Sequence, residues 1–218
     1  MKPLIIFGTG DIASLANYYF RSDSEYIVEA FTVDRDYLRD SFEGKPVVAF
    51  EEVTKSYPPS KYELFIAMSY KKMNQIREVK YHASKKAGYT LASYISSRCT
   101  YLSEFKPGDN CFILEDNTIQ PFVKIGNNVI LWSGNHIGHH SSIEDHNFIS
   151  SHVVISGHCH IESNCFLGVN ATLHNNVRVK RNNIVGAGAV ITKSTKVNEV
   201  HLPQKSILFM KKSDEVNL

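Results

Sequence analysis

Residues 113–191, broken every six, read ILEDNT IQPFVK IGNNVI LWSGNH IGHHSS IEDHNF ISSHVV ISGHCH IESNCF LGVNAT LHNNVR VKRNNI VGAGAV I. The first place of every block is Ile, Leu or Val, from Ile113 to Ile191, fourteen times without an insertion. The fifth place holds Val, Cys, Ala, Ser, Thr or Asn, which are slim enough for a second inward position. The fourth place runs Asp116, Phe122, Asn128, Gly134, His140, His146, His152, His158, Asn164, Asn170, Asn176, Asn182, Gly188. Asn, Asp, His and Gly are the types that tolerate a left-handed backbone. A turn in every hexad fits neither the 3.6-residue period of a helix nor the long alternation of a strand. Short strand and turn repeated in this way predict a hexapeptide β-helix, with three hexads to a coil. The register extends back through Ile95, Tyr101 and Pro107, so the solenoid is expected to begin near residue 95 and run to about 200.

The hexad also sorts the reactive side chains. Eight of the ten histidines lie between His136 and His174. His140, His146, His152 and His158 occupy the turn place, where Asn stands in the next four hexads, so turn chemistry accounts for them. The four cysteines, Cys99, Cys111, Cys159 and Cys165, all occupy the fifth, inward place and read as small buried hydrophobes. His139 stands at the third place, which the turn argument does not cover.

Residues 1–94 carry no hexad and read as a separate small domain. Leu4–Phe7 predicts a strand that runs into Gly8-Thr9-Gly10 and then a helix from Asp11 to about Phe20. Tyr26–Val33 predicts a second strand, followed by Asp34. This is G-x-G-x-x-A in a strand–turn–helix–strand setting, where backbone N–H groups and a helix N-terminus approach a phosphate. Leu64–Met68 predicts a third strand ending at Ser69. Met73, Ile76, Val79, Ala83 and Ala87 recur at helical spacing before Gly88. The domain is about half the length a dinucleotide fold needs, which points to a mononucleotide or its diphosphate ester and away from a dehydrogenase.

The chain has 218 residues and a formal net charge of +2. That balance argues against a nucleic-acid binder, and no apolar run approaches the ~20 residues that span a bilayer. No secretory signal is read in the first residues, so a cytoplasmic location is expected.

A small βαβ domain followed by a hexapeptide solenoid resembles the bacterial nucleotide-sugar acyltransferases of the sialic-acid O-acetyltransferase and bacillosamine N-acetyltransferase type. Ile5-Ile6-Phe7-Gly8-Thr9-Gly10, Ile137-Gly138-His139, Asn164 to Asn170 and Ile184 to Val190 carry the resemblance, which covers essentially the whole chain. It implies a half-Rossmann-like α/β domain before a left-handed parallel β-helix. It also implies a homotrimer, with acetyl-CoA as acyl donor between neighbouring solenoids and a nucleotide-linked amino sugar held by the N-terminal domain. The expected activity is acetyl transfer to the amino group of a 4-amino-6-deoxy sugar in surface glycan or O-antigen assembly. O-acylation, or another acyl group, is the alternative.

The resemblance makes His139 the general base, a role suited to an imidazole near neutral pH. Gly157, one coil on at 139 + 18, leaves room beside that ring. By the same resemblance Gly157, Val169, Ala187 and Lys205 face the coenzyme, with residues 201–218 a tail near it. Gly8, Thr9, Gly10, Asp11, Asp34, Arg35 and Ser69 meet the nucleotide sugar.

Two departures stand out. The family's histidine is usually followed by Glu or Asp, and here the next residue is His140. Glu144 is the first candidate to orient the ring, with Asp145 and Asp116 behind it, each from this or a neighbouring chain. Many relatives carry a second histidine nine residues on, and here it is Phe148, expected beside the acyl thioester.

Two other classes stay open. One is a zinc hydratase like the γ-class carbonic anhydrases, through ligands drawn from His136, His139, His158 and His160. That class has two ligands five residues apart, a spacing absent among the histidines of 136–174, so no metal is expected. The other is a non-catalytic trimeric scaffold.

Overall fold

The computed structural model describes residues 2–206, 208, 210, 212 and 213. Strand β1 (Lys2–Phe7) lies between β2 (Tyr26–Val33) and β5 (Glu63–Ile66), parallel to both. Beyond β2 comes β4 (Lys45–Ala49), also parallel, and the hairpin strand β3 (Ser41–Phe42) closes that edge. Leu4, Ile5 and Ile6 are wholly buried, as a central parallel strand requires. Helix α1 (Asp11–Ser22) turns Ala13, Ala16, Asn17 and Phe20 inward, the spacing of one helical face. Helix α2 (Val53–Ser56) is a single turn, and α3 (Gln75–Lys86) ends before Gly88, which takes a φ of 91°.

The hairpin turn at Glu43-Gly44, with φ of 50° and 72°, was not foreseen, although its two left-handed residues suit the twist of paired strands. The inward face of α3 also differs from expectation. Val79 is exposed, and the buried residues are Arg77, Tyr81 and Ser84.

From Tyr94–Ile95 to Val200–His201 the chain is a left-handed β-helix of two-residue strands in three parallel sheets. Register is 18 residues throughout the regular coils: Ile113 pairs with Leu131, Leu131 with Ile149, Ile149 with Leu167 and Leu167 with Val185. The last pairing, Ile184 to Val200, spans 16. Every fourth-place residue from Asp116 to Gly188 has positive φ. The first-place aliphatics and fifth-place small residues form the inner core, including Cys111, Cys159 and Cys165. Burial raises the thiols of Cys111 and Cys165 to about 12, which leaves them inert at neutral pH.

The N-terminal domain packs on one of the three solenoid faces. There the sixth-place residues Tyr94, Phe112, Ile130, Phe148 and Phe166 meet Phe20, Phe65 and Tyr70. On the other faces the sixth place holds residues such as Thr118, His136, Lys124 and Arg178. The domain contact is therefore written in every third hexad.

Candidate functional site

A cavity of about 580 Å³ opens at the carboxyl ends of β1, β2 and β5. The strand order, with β2 on one side of β1 and β5 on the other, makes this the point where the sheet's winding reverses, the usual ligand crevice of such sheets. Gly8, Thr9, Gly10, Asp11, Asp34 and Ser69 all line it. Gly8 is required twice over: its φ is +120°, and a Cβ there would lie 2.8 Å from the carbonyl oxygen of Ala67. Gly10 is the N-cap of α1 with no side-chain cap, and the helix's first residues, Asp11 and Ile12, line the opening.

Asp34 is held at the rim by an ion pair with Lys80, whose ammonium also sits 5.4 Å from the Phe7 ring and 5.3 Å from that of Phe50. Arg35 does not line the cavity; it is turned outward to Glu52 at 3.1 Å. Tyr37, Met68 and Lys71 line it without having been foreseen. They come from loops, and no local motif marks them.

The second constellation stands on the solenoid corner opposite the face that carries the N-terminal domain. The sheet order places Phe122, His140, His158 and Asn176 on this corner, with the domain-bearing strands across the triangle. The backbone N–H of His139 donates to Gln120 Oε1 at 2.8 Å. Nδ1 of His139 lies 3.1 Å from Nδ1 of His140. A Cβ on Gly157 would fall 2.9 Å from both Cε1 and Nε2 of His139. The glycine therefore clears the space in which Nε2 lies.

None of the three carboxylates considered for His139 reaches it within the chain. Glu144 accepts from the backbone N–H and hydroxyl of Ser163 at 3.1 and 3.0 Å and pairs with His160 at 2.9 Å. Asp145 caps the N–H of Asn127 at 2.7 Å, and Asp116 pairs with Arg98. Their own coils claim them. Phe148 is likewise corrected. It is 3% exposed, with the rings of Tyr70 and Phe166 at 4.9 and 5.7 Å and the Arg77 guanidinium at 6.0 Å, so it has no free face for an acyl group.

Gly157 sits on the histidine corner; Val169 and Ala187 sit one coil apart on the next corner, both exposed. Between the two corners runs a sheet whose outward side shows Val154 and Val190, 38% and 60% exposed. Pro203 packs over Gly186, and Lys205 is exposed; the rest of the expected tail falls largely outside the described residues.

His139, His140 and His158 bring ring nitrogens within 4.8 Å of one another, as do Glu78, His82 and His146 with their ligand atoms. His136 and His160 are not in the first group. Two zinc ligands at about 2.1 Å in tetrahedral geometry stand about 3.4 Å apart. In the second group His146 presents a proton, not a lone pair. Asn128 Oδ1 accepts from Arg77 Nε and Asn110 Nδ2, so Asn128 Nδ2 donates to His146 Nδ1 and leaves the proton on Nε2. No described helix is long and apolar enough to cross a membrane.

Comparison with known proteins agrees with this architecture. Residues 108–139, 123–157 and 158–193 match the family described as bacterial transferase hexapeptide (six repeats). No curated protein matches the chain as a sequence. Among solved structures, the acetyltransferase domain of PglB from Neisseria gonorrhoeae superposes with a TM-score of 0.80 at 19% identity, over 92% of this chain and 96% of that one. A point mutant of perosamine N-acetyltransferase from Caulobacter crescentus, in complex with CoA and GDP-perosamine, gives 0.78 at 19%, over 92% and 93%. WeeI from Acinetobacter baumannii gives 0.77 at 20%, over 92% and 96%. The repeat match spans residues 108–193, and over nine-tenths of its length the chain shares its fold with these solved structures.

Proposed function

We propose that the protein is an acyltransferase that moves an acetyl group from acetyl-CoA to the amino group of a nucleotide-linked amino sugar, with His139 as general base. One observation carries this: a phosphate-fitting cavity and an imidazole with a cleared Nε2 are built into the same chain, on opposite sides of one rigid solenoid. A chain cannot bring its own cavity to its own His139, so a second copy supplies it. A trimer of parallel solenoids, with the coenzyme along the sheet that shows Val154 and Val190, meets that need. The acetyltransferase fold partners, one bound to CoA and GDP-perosamine and another to acetyl coenzyme A, support both substrates.

The chemistry balances without an acyl-enzyme. The sugar amine attacks the thioester carbonyl, and Nε2 of His139 takes the N–H proton as the tetrahedral intermediate forms. The intermediate collapses by breaking the C–S bond. The departing thiolate takes the proton back, giving N-acetyl sugar and free CoA. Backbone N–H groups at the small-residue corners are suited to the transient oxyanion. Asp34 and the α1 N-terminus hold the nucleotide part of the acceptor, and surface-glycan assembly is the setting that consumes such a product.

Thiol release from acetyl-CoA, measured against nucleotide-linked 4-amino-6-deoxy sugars, tests the proposal. Release should depend on the sugar and fall by about 10²–10⁴ in His139→Ala. Binding of CoA and sugar without release in the unaltered protein would leave a scaffold instead.

A further inference from the structure

The resemblance leaves a carboxylate-shaped gap beside His139, and the structure fills it with another imidazole. A nitrogen-to-nitrogen approach of 3.1 Å is a hydrogen bond only if one Nδ1 carries the proton and the other is bare. If Nε2 of His139 is to accept a proton from substrate, its neutral ring must carry hydrogen on Nδ1. That hydrogen then points at the Nδ1 lone pair of His140, whose own proton is on Nε2. We infer that His140 is a positioning residue, a neutral acceptor that holds His139 in the Nδ1–H tautomer.

The His140 ring is itself held. It stacks on His158 at 15° and 4.9 Å on one side and lies against Phe122 at 40° and 4.6 Å on the other. Phe122 has a φ of 67°, a conformation a bulky aromatic side chain rarely takes. The other turn places of the regular hexads hold Asn, Asp, His or Gly, so the aromatic exception falls one coil below His140. A strained backbone that presents a ring to a functional side chain is the pattern expected where geometry is over-determined. The titratable groups facing His140 are His139, His158 and, across the shallow cleft it shares with Ser141 and Ser142, Lys124. Among the described residues no carboxylate is hydrogen-bonded or ion-paired to the His139 or His140 ring.

The inference rests on the acyl-transfer reading for its role, but its first test needs no turnover. Ring-nitrogen NMR on the full chain should show one histidine protonated at Nδ1, its signals lost in His139→Ala. A hydrogen-bonded neighbour protonated at Nε2 should be lost in His140→Asn. His139 found in the Nε2–H form, or signals that shift when a chelator strips bound metal, would overturn it. In turnover, His140→Phe should lower kcat about tenfold to a hundredfold with little change in KM. His140→Asn, whose amide oxygen accepts and whose type suits the turn, should restore most of that loss. His140→Asp should move the acid limb to higher pH, because an anion favours the imidazolium. A His140→Phe protein with unchanged kcat and pH profile would refute the positioning role.

Discussion

Gly157 gives the sharpest reading of a single residue. A methyl group there would stand 2.9 Å from the reactive edge of His139, so the ring must move. Misplacing a base by about an ångström costs roughly a hundredfold. Gly157→Ala should therefore lower kcat about tenfold to a hundredfold while thermal stability changes little; unchanged turnover would mean that the ring is not used where it lies. The 18-residue coil made this pair legible from sequence, since 139 and 157 differ by one repeat. The partner of His139 was not legible. Within one chain Glu144 has the right type and the wrong corner, because its hexad ends on a different sheet and His160 and Ser163 of the next coil take its oxygens. Phe148 fell to the same logic. Its place in the hexad puts it under the N-terminal domain, a fact visible once every third sixth-place residue is compared.

At the scale of the element, α3 is the joint between domain and solenoid. Arg77 is fully buried, with no carboxylate partner among the described residues, and burial pushes its guanidinium down to about 9, still charged at neutral pH. It donates to Asn128 Oδ1, the Asn128 carbonyl and the Asn147 carbonyl, each at 3.1 Å. Asn74 and Asn164 add bonds between α3 and the same corner. The helix misled hydrophobic periodicity because the surface beneath it is a column of turn carbonyls and amides, which a polar face satisfies better than an apolar one. Arg77→Leu strands those acceptors and should cost about 2–4 kcal/mol in denaturant unfolding. A loss below about half a kcal/mol would show that water replaces the guanidinium.

His146 stands in the same joint, and burial holds its imidazole below its ordinary value despite nearby Glu78 and Asp145, with His82 and Arg77 lowering it further. The unfolded chain then binds the proton more readily than the folded one. Stability contributed by neutral His146 is complete above about pH 6.5 and is lost as pH falls below that value. His146→Asn keeps the turn and removes the proton site, so its unfolding midpoint should fall less between pH 7.5 and 5.5 than that of the unaltered protein. Equal falls would assign the effect to other groups.

Across the whole molecule, the hexad determined the solenoid and its inward residues, because one left-handed turn per six residues leaves few alternatives. The βαβ unit was legible in Gly8, Gly10 and Asp34. The cavity's remaining walls were not, since Tyr37, Met68 and Lys71 are assembled by topology alone. The central claim is that cavity and base act together across copies, and mixed assembly tests it most directly. His139→Ala removes the base. Gly10→Phe fills the cavity, at a position where a Cβ meets no atom within 4 Å and φ is −108°. Each variant alone should be nearly inactive. Co-assembled in equal amounts, random mixing pairs an intact cavity with an intact base in about a quarter of sites, so roughly a quarter of the unaltered activity should return. Activity that stays at the level of the separate variants would contradict a site shared between copies.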